Sequence, residues 1–309
     1  MYPDILTIGE PMVEFNQTGE RTYLQGFGGD TSNAAIAAAR QGARAGCLTA
    51  LGTDLFGDMV MDLWAREGVW SEAVKRDADA PTAIYFVTHS EGGHSFTYRR
   101  AGSAASRYGA ADLDRAALKA AKVVHASGIS LALGDTSRGG VLAAFEIARA
   151  AGSLVSLDTN LRLNLWPLEE ARAAIHEAAA LADILLPGLD DARHLTRLDD
   201  ADSIADFYLE LGARIVALTL GADGALIATA DRRERFAAHR VTPVDATGAG
   251  DTFDGAFLCD YLQTGDPFAA GRHANAAAAL STTGYGAVEP MPRRAEVAAF
   301  IAGNATVLS

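Results

Sequence analysis

The chain has 309 residues, 49% of them hydrophobic and 21% charged, with a formal net charge of −13. That length supports one large α/β domain, or one domain with a small appendage, and such acidity argues against nucleic acid or an anionic membrane as partner. Lysine is confined to Lys75, Lys119 and Lys122, so a bound anion must rely on a few placed arginines, and no G-x-x-x-x-G-K-[ST] string is present.

The two cysteines, Cys47 and Cys259, sit in apolar elements without C-x-x-C spacing, and read as small core residues rather than a disulfide or zinc framework. The N-terminus has no basic region and runs straight into a strand, and no apolar run approaches a membrane span. A soluble cytoplasmic protein is the expectation.

In chain order, Asp4–Gly9 reads as a buried strand. Met12–Asn16 and Arg21–Gln25 alternate about a turn at Thr18–Glu20, the pattern of a hairpin. Gly26–Asp30 and the polar Thr31-Ser32-Asn33 lead into an alanine-rich helix, Ala34–Gln41, stopped by Gly42. Arg44–Leu51 reads as a strand and Phe56–Glu67 as a helix stopped by Gly68. Thr82–Thr88 and His94–Arg99 alternate about Ser90-Glu91-Gly92-Gly93 and form a second hairpin. Two hairpins set among strand–helix units predict a small β lid on a larger body.

From Ala111 onward strand and helix alternate, the rhythm of a parallel sheet covered by helices on both faces. Strands are expected at Lys122–Ser127, Leu154–Asp158, Asp183–Leu186, Arg214–Leu220, Gly224–Thr229 and Arg235–Val241. Helices are expected at Asp135–Ala151, Glu169–Ala182, Ser203–Leu211, Ala249–Leu262, Pro267–Thr282 and Arg293–Ala302.

The stretch Val244–Gly255 carries the most specific chemistry. It reads V-D-A-T-G-A-G-D-T-F-D-G and places Gly248, Ala249 and Gly250 where a loop becomes a helix. Unpaired backbone N–H groups and the helix dipole favour an anion there, and glycine lets it come close. Asp251 falls in the first turn, where the same field is expected to keep it ionised and fit to take a hydroxyl proton during phosphoryl transfer. An ordinary capped helix start with an acid complementing the dipole is the alternative. Asp254, one turn on, reads as structural.

D-x-T-G-A-G-D resembles the C-terminal signature of the ribokinase-like (PfkB-type) carbohydrate kinases. Gly26–Asn33 with its helix, followed by G-T-D-L-F-G-D (Gly52–Asp58), resembles the N-terminal signature of the same family. The resemblance covers essentially the whole chain. It implies a single kinase domain over 1–309, with a central, mostly parallel sheet flanked by helices and a lid drawn from about 11–25 and 82–100. In that family the glycine loop is the anion hole and the last Asp, here Asp251, is the base, while Gly29 and Asn33 would meet sugar hydroxyls. ATP and Mg²⁺ are the implied cofactors, and pairing of lids into a homo-oligomer the implied assembly.

Four further strings resemble the 2-keto-3-deoxygluconate kinase branch: Gly9–Asn16, Tyr98–Ala104, His125–Ile129 and Asp158–Trp166. Carried across, Tyr85, Tyr98, Arg100 and Arg162 would hold the acid and keto end of a sugar acid, and Asp251 would face its terminal hydroxyl. Arginine suits such an anion because its planar fork donates two parallel hydrogen bonds, although a lone arginine is more often a surface charge. Arg99 stands where the family commonly has a second aromatic. On the nucleotide side the resemblance implies Thr219, Gly221 and Gly224 along the phosphates and ribose, with Asn275 near the adenine, although a plain hairpin turn explains Thr219–Gly224 equally well. Lysine is frequent in relatives at the position of Thr219. Gly188 and Asp191 replace the Asn and Glu of an N-x-x-E string, leaving Asp191 to organise Mg²⁺ through water.

The expected activity is phosphorylation of the 6-hydroxyl of 2-keto-3-deoxygluconate. Fructokinase, ribokinase or phosphosugar kinase activity on the same fold, and a non-catalytic sugar-acid sensor, are the alternatives. His89 and His94 flank the lid turn without a third ligand nearby and read as solvated loop residues.

Overall fold

A computed structural model describes residues 1–90 and 93–307. Glu91 and Gly92 of the expected lid turn lie outside the described residues, as does the side chain of His94.

The first half of the chain builds β1 (Ile5–Ile8), β2 (Met12–Gly19), β3 (Thr22–Gly28), α1 (Asp30–Arg40), β4 (Ala45–Leu48), β5 (Ala50–Gly52), α2 (Leu55–Glu67) and β6 (Lys75–Asp77). It continues with β7 (Ala83–Ser90), β8 (Gly93–Arg99), α3 (Arg115–Ala120), β9 (Val123–Ser127), α4 (Gly128–Ala132), α5 (Asp135–Ala150) and β10 (Leu154–Asp158). The second half adds α6 (Leu168–Ala179), β11 (Ile184–Leu185), α7 (Leu189–Thr196), α8 (Ala201–Leu211), β12 (Ile215–Thr219), β13 (Ala225–Ala228) and β14 (Arg233–Phe236). Three helices follow: α9 (Ala249–Thr264), α10 (Pro267–Ser281) and α11 (Arg294–Val307).

Eight strands form the central sheet in the order β14-β13-β12-β11-β10-β9-β1-β4. It is parallel from β4 through β12, and β13 and β14 are antiparallel. Period-two alternation divides its side chains between two cores. Leu6, Val124, Val155 and Val216 pack with Phe145, Ile175 and Tyr208 of the helices on one face. Ile5, Cys47, Ile215 and Ile227 pack with Trp64, Phe253 and Phe257 on the other. Apolar on both faces, these strands need helices on both sides, which explains their near-continuous Val, Ile, Leu and Ala composition. Cys47 and Cys259 are free and buried, and burial pushes the Cys47 thiol up to about 12.

The two hairpins join as one four-stranded sheet, β3-β2-β7-β8, with β2 and β7 parallel. Parallel pairing between hairpins far apart in sequence is what places the lid strands side by side over the body.

Several elements differ from the sequence reading. Arg44–Leu51 is not one strand: β4 belongs to the main sheet, and β5 pairs with β6 instead. The Lys75 N–H donates to the Thr49 carbonyl at the break, 3.0 Å away. The last strand ends at Phe236 rather than Val241. Helices α3, α4 and α7 were not expected. Leu189, Ala192 and Leu195 carry the helical spacing of α7, with Asp190 and Asp191 in its first turn. The string expected to organise the metal therefore lies at a helix start, with Asp191 lining the cleft.

Candidate active site

The carboxyl ends of the parallel strands open into one cleft of about 750 Å³ beneath the lid, the place where open α/β sheets bind ligands. Ile129 follows β9, Asp158 ends β10 and Asn160 follows it, Leu186 and Gly188 follow β11, and Thr219 ends β12. The lid contributes Met12, Tyr85, Phe96 and Tyr98 from above.

Two helix N-termini converge on this cleft. Gly29 caps α1 at φ +101°, and a Cβ there would lie 2.3 Å from the Glu10 carbonyl oxygen, so only glycine fits. Gly248 caps α9 at φ +75°, with a Cβ position only 2.9 Å from Ala287. Gly248 and Gly250 line the cleft. The Ala249 N–H, expected to serve the same anion hole, donates to the Ala246 carbonyl at 3.2 Å.

Between the helix ends, the Asn33 side-chain N–H donates to Asp251 Oδ2 at 2.7 Å. The sequence reading expects Asp251 to be held ionised by the helix field, and this is corrected. Burial, followed by the nearby Asp30 carboxylate, pushes its pKa up to about 7, against the Asn33 hydrogen bond and the Arg162 charge. Desolvation of a carboxyl at the bottom of the cleft outweighs a helix terminus worth a fraction of a charge. A base poised near 7 accepts a proton more readily than an ordinary aspartate. Asp254, read as structural, also lines the cleft. Burial first, then the Asp158 and Asp251 charges, raise it well above the usual range, and burial raises Asp158 likewise.

The cleft floor is rich in acceptors. Ser127 Oγ–H and, at 3.4 Å, the Asn160 amide donate to Asp30 Oδ2. Asp30 Oδ1, Asn33 Oδ1 and Asn160 Oδ1 are buried without a protein partner. Buried acceptors left without partners are costly, so three in one cleft fit a ligand rich in hydroxyl donors. Asn160 adopts φ +26°, rare for a non-glycine residue, at the same place. Asp30 and Asn160 are functional candidates that the sequence reading did not single out as sites. The signal was present in G-G-D-T-S-N and D-T-N-L-R, where polar residues follow the ends of buried strands.

The arginines separate. Arg162 lines the cleft with its side chain about half exposed (47%), its Nη1 3.8 Å from Asp191 Oδ2. Arg100 does not line it: its Nε and Nη2 reach Glu10 Oε2 at 2.8 and 2.6 Å, and its guanidinium lies over the Tyr98 ring. Glu10 is fully buried and also accepts from Ser103 Oγ at 2.5 Å. Arg162 is thus the one cation lining the cleft among the described residues, beside Asp30, Asp158, Asp191, Asp251 and Asp254.

On the expected nucleotide side, Thr219 lines the cleft, while Gly221 and Gly224 form a turn at positive φ between β12 and β13. Asn275 is buried and donates its amide to the Ala237 carbonyl at 2.8 Å, which anchors the segment after β14. Asp191 Oδ2 accepts from the Leu161 N–H at 2.9 Å. Among the described residues no group of three or more His, Cys, Asp or Glu side chains is arranged to hold a metal. A Mg²⁺ that keeps its waters and binds mainly through substrate phosphates would need only a carboxylate such as Asp191, which lines the cleft.

The family model of the pfkB family carbohydrate kinases matches residues 3–294. A 2-dehydro-3-deoxygluconokinase from Thermoproteus tenax is 35% identical over 305 residues, covering 94% of this chain and 93% of that one. Fructokinase-1 from Oryza sativa subsp. japonica is 34% identical over 314 residues, covering 95% and 96%. The crystal structure of a fructokinase with bound ATP from Xylella fastidiosa superposes with a TM-score of 0.90 at 28% identity, covering 97% of this chain and 98% of that one. The chain belongs to the pfkB family of carbohydrate kinases and has its ribokinase-like fold.

Proposed function

We propose that this pfkB-family carbohydrate kinase transfers the γ-phosphoryl group of ATP to the 6-hydroxyl of 2-keto-3-deoxygluconate. The observation that carries the reading is the meeting of Asp251 with Asn33 at two converging helix N-termini, in a cleft that also contains Arg162. Asp251 takes the proton of the terminal hydroxyl, and that oxygen forms the new bond to phosphorus as the bond to the ADP oxygen breaks. Backbone N–H groups of Gly248 and Gly250 stabilise the developing charge, worth about 3–4 kcal/mol per donor in other enzymes. Arg162 and Tyr98 meet the acid end, and Gly29 and Asn33 the hydroxyls. ATP would lie along Thr219, Gly221 and Gly224, with Asn275 beyond and Mg²⁺ reached by Asp191 through water. When bound, Mg-ATP supplies the phosphoryl group and the cation that offsets its charge. The reading extends to a cytoplasmic enzyme whose lids pair two chains; light scattering showing a monomer at working concentration would remove the pairing.

A second reading, fructokinase, is favoured by Arg100. With that arginine committed to Glu10, one cation stands among five carboxylates of the described cleft residues, an arrangement that a neutral sugar tolerates better than an acid. Similar identity to sugar-acid kinases and fructokinases leaves both in play. The deciding experiment is ADP release with Mg-ATP across 2-keto-3-deoxygluconate, its galactonate epimer, fructose, ribose and a sugar phosphate, with Asp251→Asn alongside. Turnover of the keto-deoxy acids alone, lost in the variant, supports the first reading. Turnover of fructose or ribose instead supports the second. Binding without ADP release supports a sensor.

A further inference from the structure

Period-two alternation puts Met12, Glu14 and Asn16 on one face of β2, and parallel pairing sets Glu14 beside Tyr85 of β7. Glu14 is 3% exposed, and among the described residues no arginine or lysine pairs with it. Its hydrogen bonds come from the Tyr85 hydroxyl, which donates to Oε2, and from the Asn16 side chain. Asn16 Oδ1 in turn lies 2.8 Å from His89 Nε2, on the side of the amide away from Glu14. A buried carboxylate without a cation is costly, and packing alone would be served better by an apolar residue of similar size.

Tyr85 is the connection to the cleft. Its ring lines the cleft and lies 5.8 Å from that of Tyr98. Its hydroxyl rests over Gly28, where a Cβ would come within 2.4 Å of the oxygen. Gly28 directly precedes Gly29 and Asp30 on the cleft floor, and the Asp251 charge is felt at the Tyr85 hydroxyl. The phenol oxygen therefore stands where the lid meets the site of chemistry.

A phenol has one proton and two lone pairs. We propose that Glu14 is a positioning residue that accepts the hydrogen bond of the Tyr85 hydroxyl, so that Tyr85 meets the substrate only as an acceptor and reads a hydroxyl group. This rests on the sugar-kinase reading and deepens it. It moves Tyr85 away from the carboxylate and keto oxygens of the acid end, which offer no donor, and groups it with the acceptors of Asp30, Asn33 and Asn160.

The test replaces Glu14 by glutamine, whose amide N–H donates to the phenol oxygen and turns the phenol proton into the cleft. Using whichever sugar or sugar acid the wild type phosphorylates, Glu14→Gln and Tyr85→Phe are each expected to raise KM about tenfold with kcat nearly unchanged. The double variant is expected to be no worse than either. Analogues lacking one hydroxyl at a time sharpen the result: one of them loses that same factor on the wild type and nothing further on Glu14→Gln. A wild-type KM in Glu14→Gln, or additive losses falling on kcat and thermal midpoint together, overturns the proposal. If Glu14→Gln does not fold, the deoxy series on Tyr85→Phe carries the test alone. If no sugar is turned over, the kinase reading has failed, and calorimetric binding of the same panel still reads the Glu14–Tyr85 coupling.

Discussion

Asn33 donates its side-chain N–H to Asp251 Oδ2 across 218 residues of sequence, tying the start of α1 to the start of α9. The bond favours the charged carboxylate, and its loss raises the Asp251 pKa beyond the value of about 7. The limb of kcat/KM that rises with pH through about 7 is expected to move upward by roughly one unit in Asn33→Ala, as a charge-assisted hydrogen bond is worth ~1.5–3 kcal/mol. Activity at pH 6 suffers most. A pH–rate profile checks it, and an unmoved limb would show that Asp251 is not the titrating base.

Asp251 also sets a stability balance. Its folded pKa, about 7, lies above the ordinary carboxylate value of 3.8, so the folded state holds the proton more tightly than the unfolded chain. That contribution is fully present below the ordinary value and is lost as pH rises through about 7. Asp251→Asn is therefore expected to be inactive in ADP release, by a factor on the order of 10²–10⁴ for a lost general base. It is also expected to be more stable than the wild type at pH 8, with the difference shrinking toward pH 5. Thermal midpoints across pH decide it; equal midpoints at pH 8 would contradict the raised pKa.

The architecture was legible because its strands announce themselves. Val123–Ser127 and Leu154–Asp158 are apolar runs ended by polar residues, and they form β9 and β10 at the expected positions. The break at Thr49 was not legible, since nothing local says that β5 leaves the sheet for a partner 25 residues on. The glycine turn into a helix with Asp251 in its first turn is legible locally, while the roles expected of them come from the resemblance to the carbohydrate kinases. The fate of Arg100 was not: it depends on Glu10, 90 residues away, which reads locally as one more acid in a turn. The rise of the Asp251 pKa is not legible for the same reason, because desolvation by the cleft walls is a property of assembled elements rather than of a helix start.

Gly248→Ala probes the anion loop. The residue holds φ +75°, and the new Cβ would sit 2.9 Å from Ala287 Cβ and 3.0 Å from its backbone. Forcing alanine there costs about 1–3 kcal/mol of backbone strain, or displaces the loop. A fall in kcat of tenfold or more is expected, with sugar binding by calorimetry nearly kept, because the loop serves the transferring group. Full activity would mean that Gly248 and Gly250 do not form the anion hole.

The two arginines are expected to fail in opposite ways. Arg100→Ala leaves Glu10, with no exposed side-chain surface, buried without its cation. Breaking such a pair costs roughly 3–5 kcal/mol, so a large drop in thermal midpoint is expected whatever the substrate. Arg162 is half exposed, and its 3.8 Å approach to Asp191 is worth about 0–1 kcal/mol. Arg162→Ala should keep the midpoint and lose affinity for a sugar acid while leaving a neutral sugar untouched. Melting curves and KM values for 2-keto-3-deoxygluconate and fructose on both variants separate the roles. If Arg162→Ala binds the acid as tightly as the wild type, Arg162 does not read a carboxylate and the fructokinase reading takes its place.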